Sequence, residues 1–227
     1  MAVLEEIEGL PFEEAEQFWR EKVPMPHDQY MELVDKAKVL AFSVSGAGQM
    51  DVILDLYEEI DRAIEEGVSF RQFQKNAEDI FKRRGWAGPK PWHLDLIFRN
   101  NTAAAYGAGR YRQLEETKAT RPYWRYSAVL DSRTRPSHFS LHGRIWPADD
   151  PMWNQIYPPN GHRCRCSTTS LSPRDLARMG VSVETQPPDM KPDPGFAFNP
   201  GKEMWQPDLN DYPKWLADQY REREAKQ

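Results

Sequence analysis

Both cysteines of the chain and three of its five histidines lie within residues 131–166. They are His138, His142, His162, Cys164 and Cys166. Imidazole nitrogens and thiolates are the ligands that zinc prefers in proteins, and two of each complete a tetrahedral site. The chemistry of this chain is therefore expected in this stretch, with a metal site as the first hypothesis.

The spacing of these residues favours two pairs of ligands. His138 and His142 are four residues apart, so on a helical turn they face the same way. Cys164 and Cys166 are two residues apart and would share one face of a strand, where His162 could replace a histidine. We predict zinc held by His138, His142, Cys164 and Cys166. The alternative is that the cysteines pack as small hydrophobic residues beside hydrogen-bonded histidines.

A second interpretation of the same stretch is enzymatic. Asp131, His138, His142 and Cys164 contain the residue types of a Cys-His-Asp catalytic set. A metal-dependent nuclease or a toxin-like enzyme would use the same histidines and Asp131. No nucleophile elbow or other catalytic signature surrounds the cysteine. We therefore predict no catalytic residue and keep the enzyme as the alternative.

Five arginines accompany these residues, namely Arg133, Arg135, Arg144, Arg163 and Arg165. Their forked guanidinium groups are suited to phosphates, so they are candidates for contacting nucleic acid or a protein partner. The alternative is that they pair with carboxylates of the fold, as Arg133 could with Asp131. The sequence leaves both interpretations open.

Charge is distributed unevenly along the 227 residues. Residues 1–70 carry 17 acidic and 5 basic side chains, whereas residues 71–178 carry 9 acidic and 19 basic ones. Such asymmetry indicates surfaces for charged partners, or segments that neutralise each other within the fold. No apolar run is long enough to span a membrane, and the acidic start is unlike a signal peptide. We expect folding in a reducing cytoplasm, with both cysteines reduced.

Hydrophobic periodicity indicates an α+β fold with most helices first. It predicts helices over residues 11–22, 29–41, 50–66, 70–84 and 91–117. From Arg121 the pattern alternates, which predicts a strand at YWRYSAVLD and another at HRCRCSTTSL. A capped helix over 172–180, an extended Pro-rich stretch over 185–201 and a helix over 212–224 follow. We predict a helical region over 1–120, a small β-rich module over 121–180 and an extended arm over 181–227.

Small residues crowd the middle of the fifth predicted helix, NNTAAAYGAGRYRQ. They allow another backbone to approach closely, so we predict a tight helix–helix contact there. A glycine-rich phosphate loop is the less favoured alternative, because neither GxGxxG nor GK[ST] follows.

Residues 121–166 carry a combination of motifs that resembles one protein family. The motifs are D-x-R-x-R-P-x-H-x-x-L-x-G, D-D-P-x-W, P-P-N-G and C-R-C. The small-residue helix and LPFEEAEQFWREK match as well, so the resemblance spans most of residues 10–180. The chain resembles the Mu F-like minor head proteins, also called the phage head morphogenesis family.

The resemblance implies a structural protein of a tailed phage that binds the portal and assists head morphogenesis and DNA packaging or ejection. Its expected partners are the portal, packaged double-stranded DNA, and the major capsid or scaffold protein. It would lie inside the head near the portal, and in the host cytoplasm during assembly. Other members often have CxxC at the positions of Arg135 and His138. The family-matched ligands here are His138, Cys164 and Cys166, with His142 as the fourth.

Overall fold

The computed structural model describes residues 12–205 and 207–225, and within them the chain is an α+β protein. The helices are α1 (Glu13–Arg20), α2 (His27–Glu32), α3 (Met50–Glu65), α4 (Phe70–Arg84), α5 (Pro91–Glu116), α6 (Pro136–Phe139), α7 (Trp153–Ile156), α8 (Pro173–Met179), α9 (Pro200–Trp205) and α10 (Lys214–Glu224). The strands are β1 (Val23–Pro24), β2 (Ala41–Phe42), β3 (Tyr123–Ser127), β4 (Ile145–Pro147) and β5 (Ser167–Leu171). No helix in these described ranges is long and apolar enough to cross a membrane.

Helices α3, α4 and α5 bury apolar residues in the first hydrophobic core and match their predicted bounds to within one residue. Helix α4 begins after Ser69, whose side chain accepts a hydrogen bond from the backbone of Gln72, and ends at Gly85 with φ of 68°. These are the usual polar cap and left-handed glycine of a helix. Helix α1 packs its Phe18 and Trp19 into the same core. The predicted start of α1 at Pro11 lies outside the described residues.

The single helix predicted over 29–41 is wrong. The chain forms the short helix α2, then a 3-10 helix over Asp35–Leu40, with Leu33 and Val34 extended between them. Met31 and Val34 are exposed, whereas Leu33 and Leu40 are buried. The cause is long-range pairing, because β2 follows directly and pairs in parallel with β1.

The small residues of α5 allow two close approaches, as predicted. A Cβ on Gly109 would stand 2.8 Å from the backbone nitrogen of Ala15, so this glycine admits α1. A Cβ on Gly107 would stand 2.7 Å from the carbonyl oxygen of Pro158. The second contact is with a loop rather than a helix, and it joins α5 to the turn before the cysteines.

A three-stranded antiparallel sheet in the order β4-β3-β5 forms the second half of the fold. Its core is largely aromatic and includes Trp124, Tyr126, Trp146, Trp153 and Tyr157. The strand predicted at HRCRCSTTSL is shorter than expected, because β5 begins only at Ser167. Arg163 adopts a left-handed φ of 58°, which belongs to a turn, so the cysteines precede the strand.

The segment after α8 contributes to the protein's cores, although the sequence predicts an extended surface arm. Met204 in α9 and Leu216 in α10 are fully buried in the first core, and Met190 packs into the second. Helix α9 was not predicted. Glu184 anchors the start of the segment, because its backbone N–H donates to Ile145 of β4 at 2.8 Å.

Candidate metal centre

His138, Cys164 and Cys166 form one compact cluster in the second half of the fold. The Nδ1 atom of His138 lies 3.6 Å from Sγ of Cys164 and 3.5 Å from Sγ of Cys166. All three potential ligand atoms lie within 4.8 Å of one another. His138 and Cys164 are buried, and Cys166 is partly buried. The cluster consists of the three positions that the resemblance to the family implies as ligands.

Two chain segments bring the cluster together. Helix α6 starts with Pro136, which suits the first turn of a helix, and carries His138. The cysteines lie in the turn that leads into β5, where the backbone N–H of Cys164 donates to Gly161 O at 3.1 Å. Strand β5 pairs with β3, and α6 follows β3 along the chain. The antiparallel pairing therefore places the cysteine turn beside α6.

Two fully buried polar residues, Tyr126 and Asn160, accompany the cluster. Asn160 Nδ2 donates to Tyr126 Oη at 3.1 Å and to Ile156 O at 2.8 Å. These hydrogen bonds hold Asn160 and the tyrosine hydroxyl in place, as buried polar groups require.

The two thiols differ in acidity because they share a hydrogen bond. The hydrogen bond from Cys166, together with those from His138 and the backbone, lowers the pKa of Cys164 although burial raises it. The hydrogen bond to Cys164, burial and the charge of that sulfur raise the pKa of Cys166. Cys164 is therefore the sulfur that ionises first, and a thiolate is the form that binds metal.

The other two histidines of the stretch lie outside the cluster. Helix α6 ends at Phe139, so His142 does not share a helical face with His138. Its Nδ1 instead accepts a hydrogen bond from the backbone of Ala128 at 3.1 Å. His162 is exposed, and its Nδ1 lies 2.7 Å from Asn100 Nδ2. The structure thus brings together three of the four predicted ligands.

Asp131 is not arranged as a catalytic partner of a histidine. Its carboxylate accepts from both terminal nitrogens of Arg165, at 2.6 and 2.8 Å, and from Arg133 at 3.2 Å. These hydrogen bonds, that of Arg165 foremost, hold the pKa of Asp131 well below its usual range. The carboxylate therefore stays ionised and engaged, which does not suit a general base.

All five arginines predicted to contact a partner pair with carboxylates inside the molecule. The ion pairs are Arg133–Asp131 (3.2 Å), Arg135–Asp193 (2.8 Å), Arg144–Glu184 (3.0 Å), Arg163–Asp95 (2.8 Å) and Arg165–Asp131 (2.6 Å). Several of them connect distant segments. A phosphate would have to compete with these carboxylates, so the arrangement favours their structural role.

A cavity of about 440 Å³ lies between residues of α5 and the two cysteines. Its lining includes Tyr106, Gly107, Arg110, Cys164, Cys166 and Thr168. A small molecule or water can therefore approach the cysteines, whereas His138 does not line this cavity.

Sequence reasoning missed Tyr126 and Asn160, which support the sulfurs. Tyr126 is an inward residue of β3, and Asn160 belongs to the P-P-N-G turn. Both are fully buried. Two signals in the sequence could have identified them. Tyr126 is a polar residue at an inward position of a predicted strand, and Asn160 lies close before the cysteines. Buried polar groups need hydrogen-bond partners.

Comparisons with known proteins relate this chain to phage head proteins. The model of the family described as Phage Mu protein F like protein matches residues 55–169, half of the chain. Protein F of Escherichia phage Mu, named as a capsid assembly protein, is 37% identical over 191 residues, 77% of this chain. The Mu-like prophage FluMu F protein of Haemophilus influenzae is 36% identical over 174 residues, 71% of this chain.

The similarity covers only part of these relatives. The chain spans 43% of the phage Mu protein and 42% of the Haemophilus influenzae protein. An uncharacterized protein of Methanocaldococcus jannaschii is 30% identical over 113 residues, which are 49% of this chain and 16% of that protein. No solved structure matches the chain significantly.

Proposed function

Since this chain belongs to the family of phage Mu protein F-like proteins, we propose that it acts in head assembly of a tailed phage. The observation that carries the proposal is its 37% identity, over 77% of the chain, to a protein named for capsid assembly. We further propose that it binds the portal inside the head, and that it takes part in DNA packaging or ejection. The chain spans under half of the length of the phage Mu and Haemophilus influenzae proteins, so the role of the whole relative is part of the proposal.

The small module offers a face for the portal. Val129, Leu130 and Phe139 are 41%, 55% and 52% exposed, although each is a large apolar residue. The hydrogen bond from Ala128 to His142, and that from the backbone of His142 to Phe139, hold the two segments together. Exposed apolar residues on segments held together in this way are candidates for a surface that a partner covers.

An enzymatic role is the alternative, and one experiment separates it from a structural role. The engagement of Asp131 with Arg165 supports the structural role. Plasmid DNA incubated with the purified chain and Mg²⁺, Mn²⁺ or Zn²⁺ is expected to stay intact. Nicking by the wild type that His138→Ala abolishes would overturn the structural proposal.

Among the expected partners, packaged DNA has less support from the structure than the portal. The five candidate arginines are paired with carboxylates, so a phosphate would have to displace a carboxylate at each of them. Binding to DNA is therefore expected to be weak and to fall steeply with salt. The portal, with the major capsid or scaffold protein beside it, is the partner we favour.

Incorporation into heads tests the proposal. Heads purified from a phage or prophage encoding this chain should contain it when analysed by mass spectrometry. The double variant Leu130→Asp/Phe139→Asp should reduce its content in heads and the yield of infectious particles. Met31→Asp, at a residue 59% exposed in the first half of the fold, is the control and should be incorporated normally. Heads that assemble normally without the chain would contradict the proposal.

A further inference from the structure

We propose that His138 Nδ1, Cys164 Sγ and Cys166 Sγ bind one zinc ion, with a water molecule as its fourth ligand. The site is independent of the role in head assembly, because it rests on the geometry of these residues alone. It retains three of the ligands predicted from the sequence and replaces His142 with solvent.

The two nitrogen–sulfur distances are those of a tetrahedral zinc site. Zinc–sulfur bonds of about 2.3 Å and zinc–nitrogen bonds of about 2.0 Å at tetrahedral angles separate nitrogen and sulfur by about 3.5 Å. The observed separations from His138 Nδ1 are 3.6 Å to Cys164 and 3.5 Å to Cys166. The two sulfurs lie within 4.8 Å of each other, so all three atoms can reach one ion.

Hydrogen bonding alone explains only one of the two contacts that His138 Nδ1 makes with the sulfurs of Cys164 and Cys166. An imidazole nitrogen offers either one lone pair or one proton in the plane of the ring. His138 Nδ1 therefore cannot make a full hydrogen bond to Cys164 and to Cys166 at the same time. A metal ion on that lone pair would bring both sulfurs close to the nitrogen together.

Buried polar residues accompany the cluster, as is usual around metal ligands. Tyr126 and Asn160 are fully buried. Asn160 Nδ2 donates to Tyr126 Oη at 3.1 Å and so fixes the tyrosine hydroxyl.

Solvent is the fourth ligand for two reasons. Within residues 12–205 and 207–225, the cluster contains no further histidine, cysteine or carboxylate ligand. The cavity beside α5 is lined by both cysteines and gives water a route to them. In the same described part of the chain, the buried Asn160 Oδ1 has no hydrogen-bond partner, which fits another polar group at the cluster.

Zinc is the ion that suits this ligand set. Soft thiolates together with imidazole select zinc over the hard cations magnesium and calcium, which prefer oxygen. Binding would also tie α6 to the cysteine turn across the small aromatic core, so zinc would stabilise the fold.

Metal analysis of the purified full chain tests the proposal. After incubation with zinc and removal of the excess, elemental analysis and native mass spectrometry should give about one zinc per chain. Cobalt in its place should show intense visible bands of a tetrahedral site and a thiolate charge-transfer band. Chelation should lower the melting temperature.

Matched variants identify the ligands. Cys166→Ser and His138→Ala should each weaken zinc binding by at least about tenfold. His142→Ala and His162→Ala change histidines of the same stretch outside the cluster, and should bind zinc like the wild type. Cys166 is only partly buried, so its serine variant is expected to fold if His138→Ala does not.

Two results would overturn the zinc site. One is a wild-type chain that retains less than about a tenth of an equivalent after incubation and shows no cobalt bands. The other is a Cys166→Ser variant that binds zinc as tightly as the wild type. Neither result involves phage heads, so the head-assembly role would stand or fall separately.

Discussion

Arg165 forms a bidentate ion pair with Asp131, with nitrogen–oxygen distances of 2.6 and 2.8 Å. Arg165 separates the two cysteines in sequence, and Asp131 lies in the segment between β3 and α6. The pair therefore holds the cysteine turn against the segment that leads to His138. Parallel hydrogen bonds of this kind are among the more directional interactions of proteins.

Asp131→Asn should destabilise the protein at neutral pH. The pKa of Asp131 is lowered in the folded state, so its contribution is present above the ordinary aspartate pKa and lost as pH falls through the folded value. The difference between wild type and variant should be constant near neutral pH and shrink below about pH 4. Urea unfolding across this pH range measures it. Asp79→Asn, at an exposed surface pair, is the control; an equal effect of both variants would contradict the anchoring role.

Gly107→Ala should destabilise the protein although alanine favours helices. The new Cβ would stand 2.7 Å from Pro158 O, a backbone atom that cannot rotate away. Overpacking of this kind costs about 1–3 kcal/mol, against about 1 kcal/mol gained in helix propensity. Gly48→Ala adds a Cβ that meets no atom within 4 Å and should change stability by less than about 0.5 kcal/mol. A Gly107→Ala protein more stable than wild type in urea would refute the close contact.

Lys22 should make stability rise with pH. Its side chain is buried and donates to the carbonyls of Val39 and Ala41, and burial lowers its pKa to about 7. Between pH 7 and the ordinary lysine value the unfolded state binds more protons, so wild-type stability rises relative to Lys22→Met. The slope should approach about 1 kcal/mol per pH unit near pH 8–9. The exposed variant Lys75→Met should follow the wild-type profile; Lys22→Met doing the same would disprove the shift.

Leu216→Ala should cost about 2–5 kcal/mol of stability, as for a fully buried leucine. Leu216 is fully buried in the first core, whereas its neighbour Trp215 is 41% exposed. Trp215→Ala should therefore cost distinctly less in the same urea titration. Equal, small effects would mean that α10 does not belong to the core.

Local patterns in the sequence predicted the elements whose stability is local. The helical period and its caps gave α3, α4 and α5 close to their observed bounds. The helix predicted over 29–41 is wrong because the apolar residues of this segment fit more than one buried face. The parallel pairing of β1 with β2 decides which of them are buried. Periodicity within one segment contains no information about such a distant partner.

The candidate site was predictable in its residue types and not in its geometry. The concentration of cysteines and histidines predicted the stretch in which the cluster lies, and three of the four predicted ligands lie together. His142 was included on the assumption of a continuous helical turn, which ends at Phe139. The pairing of β3 with β5, which brings the cysteine turn to His138, joins residues about 40 positions apart.

Binding to the portal is the most direct test of the account. The chain and the portal oligomer of the phage or prophage that encodes it can be purified separately, mixed and sedimented through a gradient. Wild type and Met31→Asp should sediment with the portal, and Leu130→Asp/Phe139→Asp should remain at the top. A wild-type chain that stays at the top under conditions in which the portal is intact would contradict the account.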